Sequence, residues 1–273
     1  MTGGAGGVNA AMTRAGVNGT SKAMTAAARE GSTIDPAEVA RFDALAKSWW
    51  DPKGPMAVLH KFNPVRLAFI RDLACERFGR DPKSLQAMKD LSIVDIGCGG
   101  GVLSEPLARL GAEVTGLDPA ATNIAVARAH AEKAGIDIDY REETIEAVVA
   151  SGARFDIVLA MEVVEHVADV DAFVASCCAA VKPGGLLVMA TLNRTLKSYA
   201  LAIVGAEYIL RWLPRGTHDW EKFVTPDELE AAIAIGGLEV YAREGVAYNP
   251  LADRWSRSRD LDVNYMLAAG RPA

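Results

Sequence analysis

Ile93-Val94-Asp95-Ile96-Gly97-Cys98-Gly99-Gly100-Gly101 is followed a dozen residues later by Val114-Thr115-Gly116-Leu117-Asp118. The first stretch is an apolar, β-branched run that ends in a cluster of glycines. It predicts a strand over Ser92 to Ile96 and a tight loop after it. A helix from Val102 to Leu110 follows, stopped by Gly111. A second strand, Glu113 to Leu117, ends on the carboxylate of Asp118. Strand, glycine loop, helix, strand and acid, in that order, make one β-α-β unit, which requires a parallel pair of strands.

The loop also indicates what it holds. Glycine accepts backbone angles that side chains forbid and lets a ligand press on the main chain. Before a helix start, such a loop turns its N–H groups toward a carboxylate or phosphate. The dinucleotide fingerprint needs G-x-G-x-x-G, whereas Gly97, Gly99, Gly100 and Gly101 give G-x-G-G-G. Asp95, two residues ahead of the first glycine, suits an amino group, and Asp118 suits ribose hydroxyls. An amino-acid end and a ribose end together describe S-adenosylmethionine (SAM) better than NAD.

The remaining elements alternate in the same way. Asp35-Pro36-Ala37-Glu38 reads as a helix start, with Asp as cap and Pro at the first helical position. That helix runs through Val39, Phe42, Leu45 and Ala46 toward Trp49-Trp50. Leu59 to Phe69 is expected to break at Asn63-Pro64, with a helix from Arg66 to Phe78. Further strands are expected at Ile136–Tyr140, Phe155–Met161, Leu186–Thr191, Leu238–Ala242 and Val263–Ala268. Helices between them cover Asn123–Lys133, Thr144–Val149, Asp169–Val181 and a segment capped by Thr225-Pro226-Asp227-Glu228. The fold class is therefore α/β: a doubly wound, mostly parallel seven-stranded sheet, Rossmann-like, with ligands at the carboxyl ends of the strands.

Composition narrows the function. With 273 residues, half of them hydrophobic, the chain can bury one sizeable core. A net charge of −6 argues against nucleic acid as a partner. The four cysteines, Cys75, Cys98, Cys177 and Cys178, contain no C-x-x-C pair, which points to a reducing compartment and no structural zinc. No apolar run reaches the roughly 18 residues of a membrane span. Residues 1–32 are rich in Gly, Ala, Thr and Asn and read as a disordered extension, with Met12 or Met24 as alternative starts. The catalytic domain is expected over 33–273.

Three features could carry chemistry beyond the loop. Met161-Glu162-Val163-Val164-Glu165-His166 follows the fourth strand, at the rim where ligands bind. Glu162, Glu165 and His166 offer oxygen and nitrogen ligands for a divalent ion such as Mg²⁺. Alternatively His166 acts as a base, its ordinary pKa of about 6.5 suiting proton transfer near neutrality. Residues 195–216 interrupt the alternation after strand five. As a helix they are apolar save for Glu207 and Arg211, with Tyr199, Tyr208 and Trp212 and basic flanks, as in a helix lying in a membrane interface; a cover helix on the sheet is the alternative. Trp49-Trp50 fits either core packing or an aromatic wall of a substrate pocket. Arg66 fits either the surface or a bidentate grip on a cofactor carboxylate.

Asp95-Ile-Gly-Cys-Gly-Gly-Gly101 resembles the first motif of class I SAM-dependent methyltransferases. Further stretches resemble the bacterial ubiquinone-biosynthesis O-methyltransferases and their mitochondrial relatives: Trp49-Trp-Asp51, Asn63-Pro64-Val65-Arg66, Met161-Glu-Val-Val-Glu-His166, Thr191-Leu-Asn-Arg194, Val204-Gly-Ala-Glu-Tyr-Ile-Leu210, Gly216-Thr-His-Asp219, Tyr248-Asn-Pro250 and Asp262-Val-Asn-Tyr-Met266. The similarity spans roughly residues 35–268. It implies two O-methylations of polyprenylated catechol intermediates, with SAM contacts at Arg66, Gly97, Asp118 and Met161; Asp95 and Gly99 join that set from the loop itself. It also implies a divalent metal on Glu162, Glu165 and His166 and membrane lipids at 195–216, while the cluster itself makes Glu165 and His166 the candidate catalytic residues. Other enzymes of the same route are further partners. The expected location is peripheral, on the cytoplasmic face of a bacterial membrane, with the mitochondrial matrix side as the alternative. The rival functions are methylation of a soluble phenol, a non-catalytic lipid-binding protein, and an NAD-dependent oxidoreductase.

Overall fold

Strand β1 (Ser92–Ile96) lies inside the sheet, between β2 (Glu113–Leu117) and β4 (Phe155–Met161), and is parallel to both. All three keep the bounds expected from sequence. The computed structural model describes Met1, residues 33–201 and residues 219–271. With β3 (Asp139–Arg141), β5 (Val181–Leu192), β6 (Glu239–Asn249), β7 (Arg254–Ser258) and β8 (Asn264–Gly270), the sheet runs β3-β2-β1-β4-β5-β8-β6-β7. β1 to β5 are parallel, and β8 is antiparallel to both β5 and β6. The strand order reverses at β1, between β2 and β4, which opens a crevice at their carboxyl ends.

The sheet has eight strands rather than the seven expected. β6 continues to Asn249, turns, and returns as β7, paired from Gly245↔Ser258 to Asn249↔Arg254. Arg254, Ser256, Arg257 and Ser258 carry no apolar run, because β7 sits at the edge with one side on a helix and the other in solvent. A polar edge strand leaves little pattern to read.

The helices are α1 (Pro36–Leu45), α2 (Ala57–Phe78), α3 (Ser104–Arg109), α4 (Ala121–Ala134), α5 (Ile145–Ala150), α6 (Val170–Ala179) and α7 (Pro226–Ile235). α1 starts as its sequence dictates, with the Asp35 carboxylate accepting from the Ala37 N–H at 2.9 Å. The break expected at Asn63-Pro64 does not occur: α2 runs through Pro64 without interruption. Proline removes one ladder bond, but Phe62, Asn63, Arg66, Phe69 and Ile70 form one buried face across it, and packing holds the helix together.

Successive strand residues feed opposite cores. Ile93, Ile157, Leu159, Leu186 and Val188 meet α2 and α3 on one face. Val94, Ile96, Val158, Ala160, Leu187 and Met189 meet α5, α6 and α7 on the other. After β5, Thr195 caps a helical turn at Leu196–Ser198. Most of the interfacial helix expected at 195–216 lies outside the described residues, as does the extension expected at 1–32. Among the described residues, no helix is long and apolar enough to cross a membrane.

Candidate active site

A cavity of about 590 Å³ follows the crevice from the loop after β1 to the turn after β4. Its lining is mostly apolar, with polar groups gathered at two places.

The first is the glycine loop. Gly97, Gly99 and Gly101 have φ of 68°, 53° and 85°, the left-handed region that glycine tolerates. The close approach is as important as the angle. A Cβ on Gly99 would lie 2.3 Å from a ring carbon of Trp49, and one on Gly100 2.4 Å from the Trp49 Cβ. The two tryptophans brace this loop, and Trp49 also lines the cavity. Trp49 Nε1 donates to Asn123 at 2.8 Å. Trp50 Nε1 donates to the Gly100 carbonyl at 2.8 Å and its ring stacks on His130 at 3.5 Å.

Both loop acids are buried and held. Ser104 Oγ donates to Asp95 Oδ2 at 2.6 Å. Asp118 accepts from the Gly99 and Ala120 N–H groups and from Asn123 Nδ2, at 3.0, 2.9 and 3.1 Å. Burial pushes the Asp95 carboxyl up to about 6, opposed by the Ser104 hydrogen bond and the Arg66 charge. Burial raises Asp118 as well, against its three donors. Asp118 Oδ1 already accepts two bonds, whereas Asp118 Oδ2 accepts one and keeps a further lone pair for a ligand, as does Asp95. Sequence reading missed Ser104 and Asn123. Neither stands at a spacing that marks it, nine residues after Asp95 and five after Asp118.

The second polar place follows β4. Met161 ends the strand, buried on the cavity wall. Glu162 has φ 59°, a left-handed conformation that costs a non-glycine residue energy and clusters at functional sites. Its Oε1 lies 3.0 Å from Arg66 Nη2, in an ion pair whose members are 7% and 19% exposed. Arg66 reaches the site from α2, its guanidinium over the Phe62 ring at 4.0 Å. Glu165 is buried, and its Oε2 accepts from Thr191 Oγ1 at 2.7 Å. Burial, then the neighbouring Glu162 charge, pushes the Glu165 carboxyl up to about 8. Among the described residues, Glu165 Oε1, Glu162 Oε1 and Arg66 Nε find no hydrogen-bond partner, though they are buried.

His166 points elsewhere. Its Nδ1 lies 3.1 Å from Glu38 Oε2 and 3.4 Å from Arg41 Nη2, and its ring meets the Phe42 ring edge-on at 5.1 Å. It fastens α1 to the β4 turn, aided by Lys222, which bonds Asp35 at 3.0 Å. The expected trio of Glu162, Glu165 and His166 therefore does not converge: one faces Arg66, one Thr191, one α1. Among the described residues, no group of three or more His, Cys, Asp or Glu side chains is placed to hold a metal ion. The donor set does not fit a metal in this arrangement.

The glycine loop, both acids and the β4 turn fall within one family model, a methyltransferase domain matched over residues 94–189. Solved structures share the fold at low identity. Magnesium protoporphyrin IX methyltransferase from Synechocystis, with bound S-adenosylhomocysteine, superposes with a TM-score of 0.53 at 18% identity, covering 76% of this chain and 83% of that one. A SAM-dependent methyltransferase from Clostridium acetobutylicum gives 0.54 at 11% identity, covering 77% and 92%. Sequence relatives are far nearer. The chain is 67% identical over 243 residues to the ubiquinone biosynthesis O-methyltransferase of a Methylobacterium species, covering 89% of this chain and 98% of the relative. It is 59% identical to that of Brucella anthropi over 250 residues, 92% of this chain and all of the relative. Identity at that level, over about nine-tenths of the chain and so well beyond the matched methyltransferase domain, places the chain in the ubiquinone biosynthesis O-methyltransferase family.

Proposed function

We propose that the chain moves the methyl group of SAM to a phenolic oxygen of a polyprenylated catechol, at both O-methylation steps on the route to ubiquinone. The observation that carries this reading is a single cavity lined at one end by Asp118 and the glycine loop and at the other by Glu162 and Glu165. Two ligands meeting end to end are what a direct transfer needs.

Each residue then has a task. Asp95 receives the cofactor's amino group and Asp118 its ribose hydroxyls. Gly97 and Gly99 let the cofactor lie on the main chain, with Met161 beside it. Arg66 offers Nε to the methionine carboxylate while Nη2 stays near Glu162. The phenol gives its proton to Glu165 Oε1. The phenolate oxygen forms a bond to the methyl carbon as the carbon–sulfur bond breaks, its electron pair returns to sulfur, and S-adenosylhomocysteine leaves. Thr191 holds Glu165 by its other oxygen, so the base stays aimed. A carboxylate whose pKa lies near the working pH is the better proton acceptor for a phenol. The apolar walls exclude water and hold the reacting atoms in line. His166 positions α1 over the cavity.

The tail sets the location. Withdrawing an isoprenoid chain from a bilayer costs about 0.8 kcal/mol per CH₂, so the enzyme works at the membrane surface. Leu196, Tyr199 and Leu201, at the start of the 195–216 segment, are 82%, 47% and 55% exposed, and Leu201 also lines the cavity. That segment is the proposed lipid contact.

The test is methyl transfer from labelled SAM to a short-tailed prenyl catechol, with and without a chelator. Labelled product in both arms is the expected result. SAM binding with no methylation of any catechol would remove the substrate assignment. Activity lost to the chelator and restored by Mg²⁺ would mean that Glu162, Glu165 and His166 regroup around an ion.

A further inference from the structure

The β6–β7 hairpin, which the seven-strand expectation omitted, turns its aromatic side chains to the cavity. Tyr248 and Trp255 both line it, and Phe62 joins them from α2. The Trp255 ring lies 5.0 Å from Phe62 and 5.1 Å from Tyr248, both tilted. Phe62 carries the Arg66 guanidinium over its ring, and Arg66 meets Glu162. A continuous chain of contacts thus leads from the proposed reaction centre to the hairpin: Glu162, Arg66, Phe62, Trp255, Tyr248.

The hairpin is tied down. Tyr248 Oη donates to Asp253 Oδ1 at 2.7 Å, and Lys61 of α2 reaches the other Asp253 oxygen at 2.7 Å. Arg257 of β7 bonds Asp72 of α2 at 2.9 Å. A fixed aromatic surface two contacts from Arg66 fits one occupant, an aromatic ring whose oxygens are engaged at Glu162 and Glu165. Flat rings prefer offset or edge contacts at 4.5–7 Å between centroids, and such pairs add binding beyond their buried area. A flexible isoprene chain gains no such term.

We propose that Trp255, backed by Phe62 and Tyr248, is the wall against which the acceptor's aromatic ring packs, and so determines acceptor affinity and selectivity for a ring. This rests on the catechol reading above. The experiment compares wild type, Trp255→Ala and Trp255→Phe, using SAM with catechols bearing one, two and three isoprene units. SAM affinity is measured separately by calorimetry. Wild-type activity in the same assay keeps the function reading apart from this one. The expected result is a rise of roughly ten-fold in acceptor KM for Trp255→Ala, equal across tail lengths, with SAM affinity unchanged and substantial recovery in Trp255→Phe. A loss that grows with tail length would overturn the proposal, because the wall would then serve the tail. So would an unchanged acceptor KM, or a parallel loss of SAM affinity in both variants.

Discussion

The two ends of the cavity are built on opposite terms. At the glycine loop, the protein satisfies its own buried charges: Ser104 bonds Asp95, and two backbone N–H groups with Asn123 hold Asp118. At the β4 turn, the buried Glu162 Oε1, Glu165 Oε1 and Arg66 Nε find no hydrogen-bond partner among the described residues, on a backbone bent into the left-handed region at Glu162. Leaving a buried polar group unmade costs about 1–3 kcal/mol, more when it is charged. One end is pre-organised and stands alone. The other keeps Glu165 Oε1 and Arg66 Nε for a ligand, beside the Arg66–Glu162 ion pair. On the proposed reading, the first end and Arg66 bind the cofactor, and the two glutamates of the second serve the chemistry.

The largest effect should come from breaking the second end. Glu165→Gln keeps the size of the side chain and an oxygen for Thr191, but removes the proposed base. Methyl transfer should fall by roughly 100-fold or more, within the usual contribution of general base catalysis, while SAM affinity holds. The pH dependence sharpens this. Glu165 is pushed up to about 8, so kcat/KM should climb as pH rises toward that value and the carboxylate forms. Glu162 is the second cause of that rise, after burial. Removing its charge with Glu162→Gln should move the climb to lower pH. The linked stability runs the other way. Folded Glu165 holds its proton above the ordinary carboxylate range, so its contribution to stability is full at low pH and shrinks as pH rises toward 8. A pH-independent Glu165→Gln phenotype, or one that weakens SAM binding equally, would dissolve the division between the two ends.

The same division governs what was legible in the sequence. β1 and β4 keep their expected bounds because buried parallel strands are near-continuous apolar runs, and β2 because Gly111 before it and Asp118 after it mark its ends. The glycine loop is legible because its backbone geometry restricts residue type. α2 was misread at Pro64, since the packing of Phe62, Arg66 and Phe69 outweighs a local breaker. β7 was missed because an edge strand lying on α2 needs no apolar alternation. Glu162, Glu165 and His166 are adjacent in sequence and read as one cluster, yet the turn after β4 sends their side chains in three directions. Proximity along the chain does not fix side-chain direction, and neither Thr191 nor Ser104 announces the carboxylate it holds.

A smaller effect tests how rigid the first end must be. Gly99→Ala meets two costs: a φ of 53°, and a Cβ 2.3 Å from the Trp49 ring. The left-handed angle alone costs about 1–2 kcal/mol. Thermal melting should fall, and SAM affinity with it, because Trp49 and the loop must separate. Adding Trp49→Ala should relieve the clash but not the angle, so the double variant should lose less than the sum of the singles. Strict additivity would mean that Trp49 does not brace the loop.

The smallest effect is the most specific. Asp95 is pushed up to about 6 by burial, and the Ser104 hydrogen bond is the first influence opposing that rise. An amino group is held by the carboxylate, not by the acid. SAM affinity should therefore weaken as pH falls through about 6. Ser104→Ala removes one charge-assisted bond and lets Asp95 take its proton at higher pH. At neutral pH the loss in SAM affinity should be only several-fold, but the pH at which binding weakens should shift upward. Titrating SAM binding by calorimetry from pH 5 to 8 separates this from a packing defect. A mere loss of packing at Ser104, which is fully buried, would lower affinity by the same factor at every pH. A shifted titration would show that the cofactor end is tuned by a bond the protein makes to itself, whereas the acceptor end is tuned by bonds it leaves unmade.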